Sequence, residues 1–409
     1  MATRTGIVNL TAGVTAPQGF RAAAVRAGIK LTAKPSAKPD LGLLVSDRPC
    51  ASAGVFTTNA VRAACVDWNR EILPSGFVRA LVCNSGNANA CTGAQGLRDA
   101  AETARRVAAA CGLRAGTVLV ASTGVIGRPM PMERVRAAVP GLASGLAPGR
   151  AAGDTFAHAI MTTDTCRKQA ARRVRTRGGA YTIGGCAKGS GMIHPNMATM
   201  LAFVTTDAAI GARQLQAVLR RVVDRTFNNL TVDGDTSTND MALVLANGAS
   251  GVRIDAGRRA QFEQALFDVC DCLCAAIAAD GEGATKRIEI HVDGGRTFAD
   301  ARRAAKAIAN SNLVKAAMFG NDPNWGRILC AIGYSGAAFS ARGIEVRIGD
   351  LVVCRALRPV AFPAAAMQRV LRANVVPIRV KLGLGRHQAV AHTCDLTYDY
   401  VRINAEYTT

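Results

Sequence analysis

At 409 residues with 49% hydrophobic content, the chain is too long and too apolar for intrinsic disorder, and a soluble chain of this size buries roughly 75% of its unfolded surface in two or three core units. No stretch of 18 apolar residues occurs, and the opening MATRTGIVNLTAG lacks the apolar run of a secretory signal, so a cytoplasmic protein is expected. The net charge of +21 comes from 50 basic residues, of which nine are lysine and 41 arginine, scattered among apolar residues. With only 5% aromatics there is no obvious base-stacking platform, so a basic surface that attracts anionic metabolites is favoured over nucleic-acid binding.

In chain order, the first unusual segment is residues 184–199, GGCAKGSGMIHPNMAT, where four glycines and a proline lead into an apolar run. Glycines permit backbone geometries that other residues resist, which marks a loop whose backbone is placed for a purpose. Met200 to Val204 is apolar on both faces and predicts a strand buried at the centre of a sandwich. Apolar residues at helical spacing predict helices over 212–227 and 257–279. In the second of these, Cys270 and Cys274 extend the apolar face with Phe262, Leu266, Val269, Leu273 and Ile277, so they read as core residues rather than metal ligands with Cys272. Period-2 runs follow: Ile288, Ile290, Val292 before an Asp293-Gly294 turn, then Ile344, Val346, Ile348, then Ile378, Val380, Leu382. The pattern is mixed α/β with layered sheets.

Conventional site motifs fail on spacing. Lys188 precedes Gly189-Ser190-Gly191, whereas a P-loop lysine follows the last glycine. The stretch Asp233 to Asp240 starts like an EF-hand loop but has Thr238 at position six and Val244 at position twelve, so a turn network of side chain to backbone bonds is the alternative. The five histidines form no zinc-protease spacing, and no G-x-S-x-G elbow is present. The 13 cysteines are scattered without the spacing of a disulfide scaffold and are expected as thiols. What remains is Thr199, between the glycine-rich loop and the buried strand. A threonine hydroxyl needs a base, and one is its own α-amine, released when the bond after Ala198 is cut.

The run KGSGMIHPNMATMLAFVTTDA at 188–208 closely resembles the self-processing segment of the glutamate N-acetyltransferase/ornithine acetyltransferase family of arginine biosynthesis. NSGNANACTG at 84–93, ASTGVIG at 121–127, MTTDT at 161–165, TVDGDTSTND at 231–240, ADGEGATK at 279–286 and FGNDPNWGR at 319–327 match in the same order. The resemblance implies a layered α-β-β-α sandwich of N-terminal-nucleophile type with a smaller C-terminal α/β portion. It implies cleavage between Ala198 and Thr199 into an α chain of 1–198 and a β chain of 199–409, which form one intertwined catalytic unit and assemble as an α2β2 heterotetramer. Thr199 then acts as nucleophile, Thr123 and Gly124 as the oxyanion hole, and Thr162, Lys188, Glu282, Asn404 and Thr409 join Thr199 in binding substrate. Lys188 suits a carboxylate and Glu282 an ammonium, so the pair selects an amino acid by its two ends. The implied activity is acetyl transfer from N2-acetyl-L-ornithine to L-glutamate without metal or bound cofactor, with acetyl-CoA as a further co-substrate in bifunctional members. A self-processing amidohydrolase or aminopeptidase is the alternative, distinguished by acceptor dependence. Cys65 stands where proline is more usual in similar sequences, and Asp67 follows it. Both are expected to affect only local packing. Tyr400, Val401, Ile403 and Tyr407 are expected to pin the C-terminal segment against the body.

Overall fold

The computed structural model describes residues 7–10, 12–30, 37–114, 116–194 and 200–406. Among them, one large sheet contains β1 (Ile7–Leu10), β2 (Phe20–Val25), β3 (Leu41–Phe56), β4 (Ser75–Asn84), β5 (Val118–Ser122), β6 (Lys168–Thr176), β7 (Gly179–Lys188), β8 (Leu201–Thr206) and β9 (Met241–Ala246). Its order is β1-β6-β7-β8-β9-β3-β4-β5, with β2 also paired to β3. Strand β3 is shared between two halves: Leu41 to Val45 pair with β2 and β4, Ala51 to Phe56 pair with β9, and its register with β4 breaks between Val45 and Cys50. The break lets the β2-β3-β4-β5 half fold over the β6-β7-β8-β9 half.

Burial follows from alternation along β8. Leu201 and Phe203 face the core between the two halves with Cys186 and Phe156, the Phe203 ring 5.9 Å from that of Phe156. Ala202 and Val204 face the opposite side, where they join Val218, Leu219, Val269 and Leu273. Those last residues belong to α5 (Ala212–Arg225) and α6 (Arg259–Ala279), which pack on that outer face. On the other outer face lie α1 (Ala64–Ile72), α2 (Gly93–Ala110) and α3 (Met132–Ser144), while α4 (Arg150–Ala159) packs on the inner side, where Phe156 and Ala159 meet Gly42 and the Phe156 ring lies 5.9 Å from Phe203. The architecture is the expected α-β-β-α sandwich. Because both faces of β8 are covered, LAFVTT is buried throughout, as is MALVLA of its parallel neighbour β9. Each such aliphatic or aromatic side chain contributes about 1.5–3 kcal/mol by its burial. In α6, Cys270 and Cys274 are buried on the apolar stripe while Cys272 is exposed, as expected for core packing.

The smaller C-terminal portion has its own core. Its sheet has the order β13-β12-β11-β14-β10-β15, from β10 (Arg287–Gly295), β11 (Glu345–Ile348), β12 (Leu351–Arg355), β13 (Arg358–Pro359), β14 (Val375–Lys381) and β15 (His387–Cys394). Helices α7 (Phe298–Ala309), α8 (Asn312–Phe319), α9 (Trp325–Tyr334) and α10 (Ala364–Leu371) belong to it, and α11 (Tyr398–Glu406) follows β15. One sequence expectation is corrected. Asp293-Gly294 is not a turn that ends the strand, since β10 runs on to Gly295 through a register shift after Val292, with Gly294 at φ +71°. This portion is joined to the sandwich where Thr231 N donates to His392 O at 3.0 Å and Lys315 Nζ donates to Val232 O.

Candidate active site

Strand register decides what meets at one edge of the sandwich. β7 ends at Lys188, whose Cα partner is Leu201 at the start of β8, and Leu201 is in turn paired with Met241 at the start of β9. Met200 is buried, and its carbonyl accepts from Met241 N at 3.1 Å. Ala198, Thr199 and Thr409 lie outside the described residues. The chain that leads from Thr199 nevertheless enters β8 at the edge carrying Lys188 and the Asp233–Asp240 loop.

Thr123 and Gly124 follow β5 and are held by neutral groups. Asn84, at the end of β4, accepts from Gly86 N at 3.2 Å and Asn87 N at 3.0 Å through Oδ1, and donates to Ser122 Oγ at 2.9 Å. Its carbonyl accepts from Thr123 N at 3.0 Å. Gly124 has φ +130°, and a Cβ there would sit 2.5 Å from the carbonyl carbon of Gly86, so the two backbones touch and only glycine fits. Asn239 ties this loop to the β8 edge, because its Nδ2 donates to Ala88 O at 2.6 Å and to Ser122 O at 2.8 Å. Cys65 is less remote than expected. Its buried Sγ lies 3.9 Å from that same Nδ2, beside the support of the oxyanion loop.

The charged half is built differently. Lys168 is 1% exposed, with Nζ 2.7 Å from Asp164 Oδ1 and 2.5 Å from Asp280 Oδ2. Asp164 also accepts from Thr162 N at 2.9 Å and Gly189 N at 2.7 Å, fixing the backbone beside two of the expected substrate residues. Burial opposes ionisation of Asp164, but Lys188, Lys168 and the Gly189 amide outweigh it and hold the carboxyl at about 2. Burial likewise opposes the charge on Lys168, and the two carboxylates overcome it and raise its pKa. On the far side, Thr165 N donates to Asp280 at 3.0 Å and the Asp280 carbonyl accepts from Ser190 Oγ at 2.7 Å. Glu282 N donates to Ser190 O at 3.0 Å, and the Glu282 carboxylate lies against Gly191 where a Cβ would collide with it. Asn404 Nδ2 donates to Glu282 Oε2 at 3.0 Å. Thr162, Lys188, Glu282 and Asn404 are thus brought into one connected set, with Lys188 8% exposed.

Tyr407 lies outside the described residues; of the other residues expected to pin the tail, Tyr400 and Ile403 are half-buried and Val401 is not buried. No residue of α11 is buried, and Val401 is 63% exposed. The Tyr398 ring meets Phe319 edge-on at 5.6 Å, and polar contacts add to it: Thr397 Oγ1 donates to Gly283 O at 2.7 Å, the Tyr400 phenol bonds the Asp233 carboxylate, and Asn404 reaches Glu282. Asp233 to Asp240 form the turn network that the sequence allowed. Asp233 accepts from Met192 N at 2.6 Å, Ile193 N at 2.8 Å and Asp235 N at 3.2 Å, clamping the loop that leads toward Thr199. Burial raises its pKa against those amides. His194 pairs Nδ1 with Thr231 Oγ1 at 3.0 Å, and burial, with Lys306 adding, depresses its pKa to about 4.

Sequence reasoning passed over Asp164, Lys168, Asp280, Asn84 and Asn239. A signal for one of them was available. Among 50 basic residues only nine are lysine, and Lys168, Lys188, Lys286 and Lys315 are buried. A chain that otherwise uses arginine keeps lysine where a compact ammonium must fit inside. Lys38 belongs to the same neighbourhood: burial lowers its pKa, Asp164 opposes that, and Lys30, Lys188 and Lys168 add to it.

Two half-sheets packed face to face between helical layers, with a loop held by neutral groups and a paired set of charges at the edge where β8 begins, place the chain in the N-terminal-nucleophile class of folds. The chain belongs to the ArgJ family, whose model matches residues 21–409. It is 55% identical over 403 residues to the arginine biosynthesis bifunctional protein ArgJ of Symbiobacterium thermophilum, covering 98% of this chain and 99% of that protein. It is 50% identical over 399 residues to the protein of the same name from Geobacter sulfurreducens, covering 96% and 99%. Among solved structures, the arginine biosynthesis bifunctional protein ArgJ from Bacillus halodurans is 46% identical, with a TM-score of 0.50, and the match covers 51% of this chain and all of that one.

Proposed function

We propose that this protein is a self-processing acetyltransferase of arginine biosynthesis that moves the acetyl group of N2-acetyl-L-ornithine to L-glutamate. Cleavage after Ala198 gives chains of 1–198 and 199–409 and frees the amine of Thr199. That amine takes the proton of the Thr199 hydroxyl as the oxygen attacks the acetyl carbonyl, and the oxyanion is met by donors at Thr123 and Gly124. Collapse breaks the amide bond, the proton passes to the leaving ornithine amine, and the acetyl group stays on Thr199 as an ester. Glutamate then enters, its amine attacks the ester, and the hydroxyl is restored. Acetyl-CoA serves as a second acetyl donor, in keeping with relatives named bifunctional. The working unit is an α2β2 assembly in the cytoplasm.

The observation that carries this reading is the buried Asp164–Lys168–Asp280 network. It supports a cation, Lys188, at the edge where β8 begins and an anion, Glu282, in the adjoining loop, and those charges match the two an α-amino acid presents. The test is Thr199→Ala. Mass spectrometry of the denatured protein should find one uncut chain, and ornithine release from acetylornithine with glutamate present should be lost. A normally cut Thr199→Ala chain, or wild-type release that does not depend on glutamate, would sink the proposal.

A further inference from the structure

A cavity of about 730 Å³ opens between α1 and α5 over the end of β3, and Lys188 is not in its lining. Its size is that of a small-molecule site. Gln216 closes the floor, accepting from Gly54 N at 3.1 Å and donating to Gly54 O at 2.9 Å, so the strand edge there is already paired. Phe56, Leu73 and Pro74 give the wall an apolar stretch, and Arg62, Arg70 and Arg220 give it three guanidinium groups. Arg62 holds Asp67 at 3.1 Å. Neither Arg70 nor Arg220 is paired with a carboxylate among the described residues, whereas Arg21, Arg106, Arg136 and Arg221 on other faces each hold one. The lining carboxylate, Asp224, is engaged by Asn228 Nδ2 at 2.8 Å and lies 3.8 Å from Arg302.

The cleft is also connected to the catalytic edge. Thr57, on its rim, donates from N to Asp240 O and from Oγ1 to Ser237 O, each at 2.9 Å. Phe56 pairs with Met241, and Met241 pairs with Leu201. The rim therefore stands two strand spacings, about 10 Å, from the start of β8. Unpaired guanidiniums bind phosphate through forked hydrogen bonds and repel cations such as ornithine. An apolar stretch beside them, in a cleft whose rim lies near the start of β8, suits a ligand with phosphates at one end and a long arm at the other.

We propose that this cleft binds the phosphate-bearing end of acetyl-CoA while the thioester reaches the start of β8. The inference rests on the reading of acetyl-CoA as second donor given above. In that half-reaction the thioester C–S bond breaks, the ester bond to Thr199 forms, and the threonine proton leaves with the thiol of CoA. The acetyl group then passes to glutamate as it does after acetylornithine.

The test is the double variant Arg70→Ser/Arg220→Ser, assayed on one preparation for glutamate acetylation from acetyl-CoA and from acetylornithine. Both side chains are exposed, so the fold should be kept. The KM for acetyl-CoA should rise about tenfold or more, inhibition by free CoA should weaken in parallel, and transfer from acetylornithine should stay within about twofold of wild type. An unchanged KM for acetyl-CoA would overturn the assignment, and so would an equal loss of both transfers. A wild-type enzyme that ignores acetyl-CoA would also overturn it, while its acetylornithine activity would leave the main reaction standing.

Discussion

The two halves of the site are held by opposite means. Around Thr123 and Gly124 every support named above is neutral: the amides of Asn84 and Asn239, backbone groups, and the contact between Gly124 and Gly86. Beneath Lys188 and Glu282 the support is ionic, with one buried lysine between two carboxylates. On the proposed function, the difference follows what each half must recognise. An amino acid carries permanent charges, which permanent counter-charges hold in place. An oxyanion exists only in passing, and fixed dipoles stabilise it without binding the ground state as strongly.

If that division is correct, the largest effect on stability belongs to the ionic half. Lys168→Met leaves Asp164 and Asp280 buried without their cation, and breaking such a pair costs about 3–5 kcal/mol. Calorimetry should find a lowered Tm, and the KM for acetylornithine should rise because Thr162, Gly189 and Glu282 lose their common anchor. An unchanged Tm would mean that water or another cation replaces Lys168.

Next comes the neutral half. Gly124→Ala places a methyl group 2.5 Å from Gly86 and turns the donors from the oxyanion. Losing one such donor lowers kcat by about 10²–10³, and KM should move little. A change confined to KM would assign this loop to ground-state binding and erase the contrast between the halves.

The smallest effect concerns pH. His194 titrates at about 4 in the folded protein and near ~6.5 when unfolded. Its contribution is therefore present above pH ~6.5 and is lost as pH falls toward 4, since the unfolded chain takes up the proton first. His194→Asn should flatten the fall in urea midpoint between pH 7 and 5 relative to wild type. Parallel curves for the two proteins would place the acid sensitivity elsewhere. Asp164 adds nothing in that window, because its depressed pKa keeps it charged to about 2.

Local sequence determined much of this molecule. Two-faced apolarity marked β8 as a central strand, helical spacing marked α5 and α6, and the ordered motifs marked Thr123, Thr162, Lys188, Glu282 and Asn404, because each lies in a run whose residue types alone are distinctive. The tertiary structure decided what those residues stand on. Lys168 looked like one more basic residue at the start of a strand, and only the packing of that strand against the Asp280 turn, 112 positions away, made it the hub of a buried network. Asn239 and Cys65 met in the same way, 174 positions apart. Val401 shows the converse, since its apolarity suggested burial and it is exposed, while α11 is fastened by the Tyr398 ring against Phe319 and by hydroxyls and amides. Side-chain type and period set strands and helices because those are local preferences. Which charges neutralise one another in the interior depends on strand register and on the break in β3, which bring distant residues within a few ångströms.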